Sequence, residues 1–229
     1  PQNSKHATVA TRKIPLVLIS QGTRGNRISQ MWLACELAGN GYIVASVDHY
    51  GNTLDNKIPE IFVRIWDRPM DLSFLLDHLL NDATWSASIT ADKIGMAGFS
   101  LGGYTGMVLA GAQTDYGLLQ QFADTKQGEL EFTVPELGDI RYLITPDLVE
   151  EGNTKFIGLQ DERISAFVIM APALGQAFKS DKQFSFIEKP ILIFGAENDE
   201  RTPVETNAFH YHKLIGHSQY IELEGNVGH

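Results

Sequence analysis

Cysteine is nearly absent: Cys35 is the single one in 229 residues, so no internal disulfide can form. It sits in the apolar stretch Met31-Trp32-Leu33-Ala34-Cys35-Glu36-Leu37, where a small buried hydrophobe is expected rather than a reactive thiol. Positive charge is also scarce. Eighteen Lys and Arg against 28 Asp and Glu leave a formal net charge of -10, a field that repels polyanions and excludes nucleic acid and anionic membrane surfaces as partners. No apolar run approaches the roughly 18–20 residues of a membrane-spanning helix, so no integral membrane span is expected. The N-terminus lacks the basic-then-apolar pattern of a secretory signal. Because the chain begins at Pro1, a leader removed beforehand stays open, and a soluble protein of the cytoplasm or an exported, periplasmic one is expected. There is no H-E-x-x-H and no cysteine–histidine cluster at ligand spacing, which argues against a metal-dependent hydrolase. Internal repeats and low-complexity tracts are missing as well.

What is there is an ordinary globular composition, 43% hydrophobic and 20% charged, at a length that suits one α/β domain covering residues 1–229. Strand-like apolar runs fall at residues 15–20, 42–47, 93–97, 166–170, 190–194 and 218–223. Several are continuous rather than alternating, as in strands covered on both faces. Helix-like segments lie at 28–38, 69–80, 103–110 and 204–215. In the second, Leu72, Leu75, Leu76 and Leu79 share one helical face, and Pro69 suits the first turn, where no backbone donor is needed. Strand and helix alternating in this way predict a mostly parallel, doubly wound α/β sheet. Residues 113–163 break the rhythm, being polar with Pro135 and Pro146. They are expected to be a lid-like, substrate-binding insertion or, alternatively, a packed irregular subdomain.

The informative stretch is Lys93-Ile94-Gly95-Met96-Ala97-Gly98-Phe99-Ser100-Leu101-Gly102-Gly103-Tyr104: strand, then G-x-S-x-G, then helix. A serine on so sharp a turn projects from the end of the sheet, close to the positive end of the following helix. A serine hydroxyl is a weak nucleophile until a histidine takes its proton and an acid orients the histidine. On such a turn the chain order is serine, acid, histidine. The loop after the 190–194 run supplies Asp199 as the acid, with Glu197 and Glu200 as rivals, and His229 follows the last strand. His6, His49 and His78 precede the nucleophile, and His210, His212 and His217 belong to the preceding helix or its end. The oxyanion hole needs two backbone donors: Leu101 follows the nucleophile, and Thr23 lies in the glycine-bearing loop Ser20-Gln21-Gly22-Thr23-Arg24-Gly25. Tyr50, Trp66 and Phe178 are expected either to shape substrate choice or simply to pack.

Beside this reading stands a resemblance. Leu16-Val17-Leu18-Ile19-Ser20-Gln21-Gly22, Gly25-Asn26-Arg27, the 41–49 stretch, Gly51-Asn52-Thr53, Gly98-Phe99-Ser100-Leu101-Gly102-Gly103, Ala171-Pro172-Ala173-Leu174-Gly175 and Asp199-Glu200-Arg201-Thr202-Pro203 resemble the bacterial predicted dienelactone-hydrolase-like family. That family is similar to plasma-type platelet-activating-factor acetylhydrolases. The resemblance covers residues 15–229 outside most of the insertion. It implies an α/β-hydrolase fold, a Ser100–Asp199–His229 triad, a small-molecule ester substrate, and no metal or organic cofactor.

Three features depart from that family. Gln21 stands where its members usually carry histidine, which alters the oxyanion loop. Ser100 replaces the cysteine of true dienelactone hydrolases, so dienelactone itself is not implied. Relatives also carry extra strands before Pro15 and continue past the histidine, so a strip of sheet is expected to lie uncovered. The rival from another class is a non-catalytic binding protein that keeps the fold. Oligomeric state stays open.

Overall fold

The computed structural model describes residues 13–155 and 157–229. Among the described residues eight strands are formed: β1 (Ile14–Ser20), β2 (Ile43–Ser46), β3 (Ile89–Phe99), β4 (Thr133–Val134), β5 (Gly138–Asp139), β6 (Ile164–Met170), β7 (Ile191–Ala196) and β8 (Gln219–Leu223). The helices are α1 (Met31–Gly39), α2 (Pro59–Val63), α3 (Asp67–Asn81), α4 (Ala83–Ser88), α5 (Leu101–Ala110), α6 (Tyr116–Ala123), α7 (Lys126–Phe132), α8 (Pro146–Lys155) and α9 (Ala208–Leu214). All six expected strands are present and form one sheet in the order β2-β1-β3-β6-β7-β8, with every neighbouring pair parallel. The short β4–β5 hairpin stands apart.

The order places the site. From β1 the chain steps outward to β2, returns across β1 to β3, and then proceeds to β6, β7 and β8, so its direction of travel reverses between β1 and β3. In open α/β sheets a crevice forms beyond the carboxyl ends of the strands at such a reversal. Ser20, the last residue of β1, is in register with Gly98 of β3, two residues before Ser100.

Parallel strands bury both faces, which is why the central runs are continuous: Leu16, Leu18, Met96, Phe167, Ile169, Ile191 and Ile193 are all buried. α3 turns Leu72, Leu76 and Leu79 inward, and Pro69 sits in its first turn. Each such leucine contributes on the order of 1.5–3 kcal/mol on leaving water. All ten residues of α5 are buried. Its glycines face close neighbours: a Cβ on Gly103 would lie 3.0 Å from Pro172 Cα. At the far edge, β8 leaves Ile221 and Leu223 more than 40% exposed. Among the described residues no helix is long and apolar enough to cross a membrane.

Two expectations are corrected. Cys35 is exposed rather than buried. It lies on α1, which has no buried residue and leaves Trp32 66% exposed, because the helix covers the sheet edge at β2 rather than its centre. The 113–163 segment is not aperiodic: it folds into α6, α7, the β4–β5 hairpin and α8. Its Tyr116, Leu119, Phe122, Phe132, Val134, Ile140 and Ile144 join the same hydrophobic core as the sheet. Asp115 and Thr125 cap α6 and α7 with their side chains, a signal the sequence carried.

Candidate active site

β3 ends at Phe99, α5 begins at Leu101, and Ser100 between them has φ +56° and ψ -119°, a conformation that side-chain-bearing residues seldom adopt. The turn closes only because its flanks are bare. A Cβ on Gly98 would stand 2.1 Å from the Gly102 carbonyl oxygen, and one on Gly102 would stand 2.0 Å from the Ser20 carbonyl oxygen. The turn is held from outside too: the Ser100 amide donates to Met170 O at 2.9 Å, and the Ala173 amide donates to Ser100 O at 3.1 Å.

The Ser100 hydroxyl lies 2.9 Å from His229 Nε2, and His229 Nδ1 lies 2.8 Å from Asp199 Oδ2. The fold is that of the α/β-hydrolases. In that fold the nucleophile stands at the end of a central strand and its partners arrive on later loops. Here Asp199 follows β7 and His229 follows β8. Ser100 is 8% exposed, the Asp199 side chain 1% and the His229 side chain 18%, so the hydroxyl is sheltered and the imidazole faces the opening. Phe99 supports the imidazole ring at 4.8 Å between centroids.

Of the three rival carboxylates only Asp199 meets the histidine. Glu197 instead accepts from the Gly225 amide at 2.7 Å. The Asn198 amide donates to Val227 O at 3.1 Å, so this loop fastens the tail that carries His229. Glu200 lies exposed in the same loop. Burial pushes the Asp199 carboxyl up, but hydrogen bonds from His229 and Thr202 outweigh it and hold the group at about 2. Thr202 donates its hydroxyl at 2.6 Å to Oδ2 and its amide at 2.8 Å to Oδ1, and the Arg201 amide adds a further bond at 2.9 Å. Sequence reasoning passed over Thr202, although D-x-x-T is the spacing of a carboxylate that accepts from the amide and hydroxyl three residues on.

The loop after β1 lies directly against Ser100: a Cβ on Gly22 would sit 3.0 Å from Ser100 Cβ. Leu101 is buried and Thr23 exposed. Of the expected substrate aromatics, Trp66 and Phe178 are core residues, packed on Tyr116 and Tyr211 respectively, and shape no opening. Tyr50 is 66% exposed and lines a cavity of about 440 Å³ with Asn26, Arg27, Asp48, His49 and Thr53. No triad residue lines that cavity.

Sequence reasoning also set His49 aside, yet it is fully buried, with Nε2 2.9 Å from Ser20 Oγ and Nδ1 2.8 Å from Asp71 Oδ2. His6 lies outside the described residues. From the insertion, α7 reaches the acid loop: Gln127 donates to Arg201 O at 3.1 Å. The Glu131 carboxylate oxygens are buried beside Leu174, and burial pushes this group up to about 8, the Leu174 amide opposing and the Asp199 charge adding to the shift.

No protein-family model matches the chain. It is similar to Cutinase 2 of Thermobifida cellulosilytica, 24% identical over 214 residues that cover 91% of this chain and 58% of that protein. It is equally similar to Cutinase cut1 of Thermobifida fusca, 24% identical over 214 residues that cover 91% of this chain and 48% of that one. The chain therefore spans about half the length of the relatives it matches.

Proposed function

We propose that this hydrolase-fold protein cleaves carboxylic esters through an acyl-enzyme on Ser100, with His229 as proton carrier and Asp199 as its orienting acid. The observation that carries the reading is the unbroken hydrogen-bond line from Ser100 through His229 to Asp199 at 2.9 and 2.8 Å. The likeness to cutinases supports an ester as the bond attacked. The motifs at 16–20, 98–103 and 199–203 support a dienelactone-hydrolase-like subtype acting on small esters, from which Gln21 departs.

In this mechanism the Ser100 oxygen attacks the ester carbonyl as its proton passes to His229 Nε2. Asp199, ionised at neutral pH, holds Nδ1–H and stabilises the imidazolium. The amides of Leu101 and Thr23 receive the oxyanion. Collapse expels the alcohol, protonated by Nε2. Water then attacks the acyl carbonyl as its proton passes to Nε2, and collapse releases the acid while Nε2 returns that proton to Ser100 Oγ. We assign the insertion the part of a wall over this opening, with α7 resting on the acid loop. No metal or organic cofactor has a role in these steps.

The test is reaction with a fluorophosphonate probe, located by peptide mass spectrometry, together with p-nitrophenyl ester turnover. The wild type should label at Ser100 and turn over. Ser100→Ala should not label, and both it and His229→Ala should lose at least ~10³-fold in kcat. A folded wild type that neither labels nor turns over would instead make this a binding protein.

A further inference from the structure

Ser20, His49 and Asp71 repeat the serine–histidine–acid pattern about one strand away from Ser100. Ser20 is 0% exposed, so no substrate reaches it and this is no second nucleophile. What the three residues do is arrange hydrogens. Asp71 accepts from His49 Nδ1–H, leaving Nε2 as an acceptor for the Ser20 hydroxyl. The Ser20 oxygen then presents a lone pair to Arg68 Nη2 at 3.2 Å. Burial, followed by the positive charge of Arg68, holds His49 well below the usual histidine range, so the ring stays neutral as this arrangement requires.

Arg68 is the hub. It is 2% exposed, and its guanidinium binds four groups. Nη1 donates to Asn52 Oδ1 at 2.9 Å, Nη2 to Ser20 Oγ and to the Gln21 carbonyl, and Nε to Thr105 Oγ1 at 3.2 Å. Thr105 passes its own hydroxyl hydrogen to the Leu101 carbonyl at 2.9 Å. The two ends of this web are informative. The Gln21 carbonyl belongs to the peptide just before the one that carries the Thr23 amide. The Leu101 carbonyl belongs to the peptide just after the one that carries the Leu101 amide. One rigid, planar fork therefore anchors the loop after β1 on one side and the nucleophile helix on the other.

We propose that Arg68 is a positioning residue for the oxyanion hole, setting the distance between the Thr23 and Leu101 amides through Gln21 on one side and Thr105 on the other. The Ser20–His49–Asp71 line keeps a Ser20 lone pair turned toward it. This inference rests on the proposed esterase reading, in which those two amides meet the oxyanion. A lysine at position 68 cannot replace the fork, because a single ammonium does not span acceptors on both sides in one plane.

The experiment compares the full chain with Arg68→Met, Arg68→Lys and Thr105→Val. It measures kcat and KM on a p-nitrophenyl ester, affinity for an alkylboronic acid that forms a tetrahedral adduct on the serine, and melting temperature. Loss of one oxyanion donor costs roughly 10²–10³ in kcat. Arg68→Met should fall by ~10²-fold in kcat with KM within about threefold, and Arg68→Lys should recover little of it. Thr105→Val cuts only the Thr105 arm and leaves the buried charge in place, so it provides the test if Arg68→Met fails to fold. It should lose ~5–10-fold in kcat and weaken boronate binding by the same factor. Folded variants with lower melting temperature but unchanged kcat and boronate affinity would overturn the inference while leaving the esterase reading intact. A wild type that neither labels nor turns over would remove both.

Discussion

Asp199 illustrates how a single residue ties chemistry to stability. Its carboxylate accepts from His229, from the Thr202 hydroxyl and from two backbone amides, and is held at about 2. A folded-state pKa below the ordinary value of about 3.9 stabilises the fold at pH values above the ordinary one. That stabilisation is lost as pH falls through the folded value. The group therefore contributes about 2 kcal/mol at neutral pH that disappears between roughly pH 4 and pH 2. Asp199→Asn is expected to reduce kcat by ~10³–10⁴-fold, because the imidazole loses its orienting anion. Denaturant titrations from pH 2 to pH 7 should show a flatter acid limb for this variant than for the wild type. Ser100, Asp199 and His229 were readable from the chain because their order and the elements before them are local features. Thr202 also left a local trace in the D-x-x-T spacing, but the Arg68 web did not. A buried hydrogen-bond partner leaves no periodic trace, and residues 20, 49, 52, 68 and 105 meet only when four separate segments pack.

At the scale of elements, what could be read follows from period and length. The six sheet strands stand out as apolar runs, several of them continuous, and α3 does so by its leucine spacing. The helices of the insertion are only 7 to 10 residues long and carry Gly117, Gly128 and Gly152, so their period is weak and the segment reads as irregular. Packing supplies what propensity does not: a Cβ on Gly128 would stand 2.1 Å from Phe122 O, so α7 forms only where glycine permits α6 to approach. α7 in turn buries Glu131, whose carboxyl is pushed up to about 8. Between about pH 4.5 and pH 8 the unfolded chain releases a proton that the folded chain retains, so stability falls as pH rises through that window. Glu131→Gln should remove this dependence. Its unfolding free energy should match the wild type at pH 4.5 and exceed it at pH 8 by on the order of a few kcal/mol, read by urea denaturation at the two pH values.

At the scale of the molecule, insertion and sheet share one hydrophobic core. Trp66 packs on Tyr116 at 5.3 Å between centroids, and the Tyr116 hydroxyl donates to the Val63 carbonyl, tying α6 to the segment before α3. Unfolding is therefore expected to be a single transition, with tryptophan fluorescence and far-ultraviolet circular dichroism superimposing in urea. Leu119→Ala, which opens a cavity inside the insertion, should lower both midpoints together by about 2–4 kcal/mol. An insertion that folded independently would separate the two curves.

The sequence by itself determined the parallel sheet, the nucleophile turn and the order in which acid and base follow it. These depend on the continuous burial of strands, on glycines that make a sharp turn sterically open, and on chain direction. Tertiary structure alone decided that Asp199 rather than Glu197 meets the histidine. It also placed Cys35 in solvent, made Trp66 and Phe178 core residues, and gathered Ser20, His49 and Arg68 behind the loop that follows β1. Each of these outcomes depends on distances between segments far apart in the chain, which local spacing does not encode.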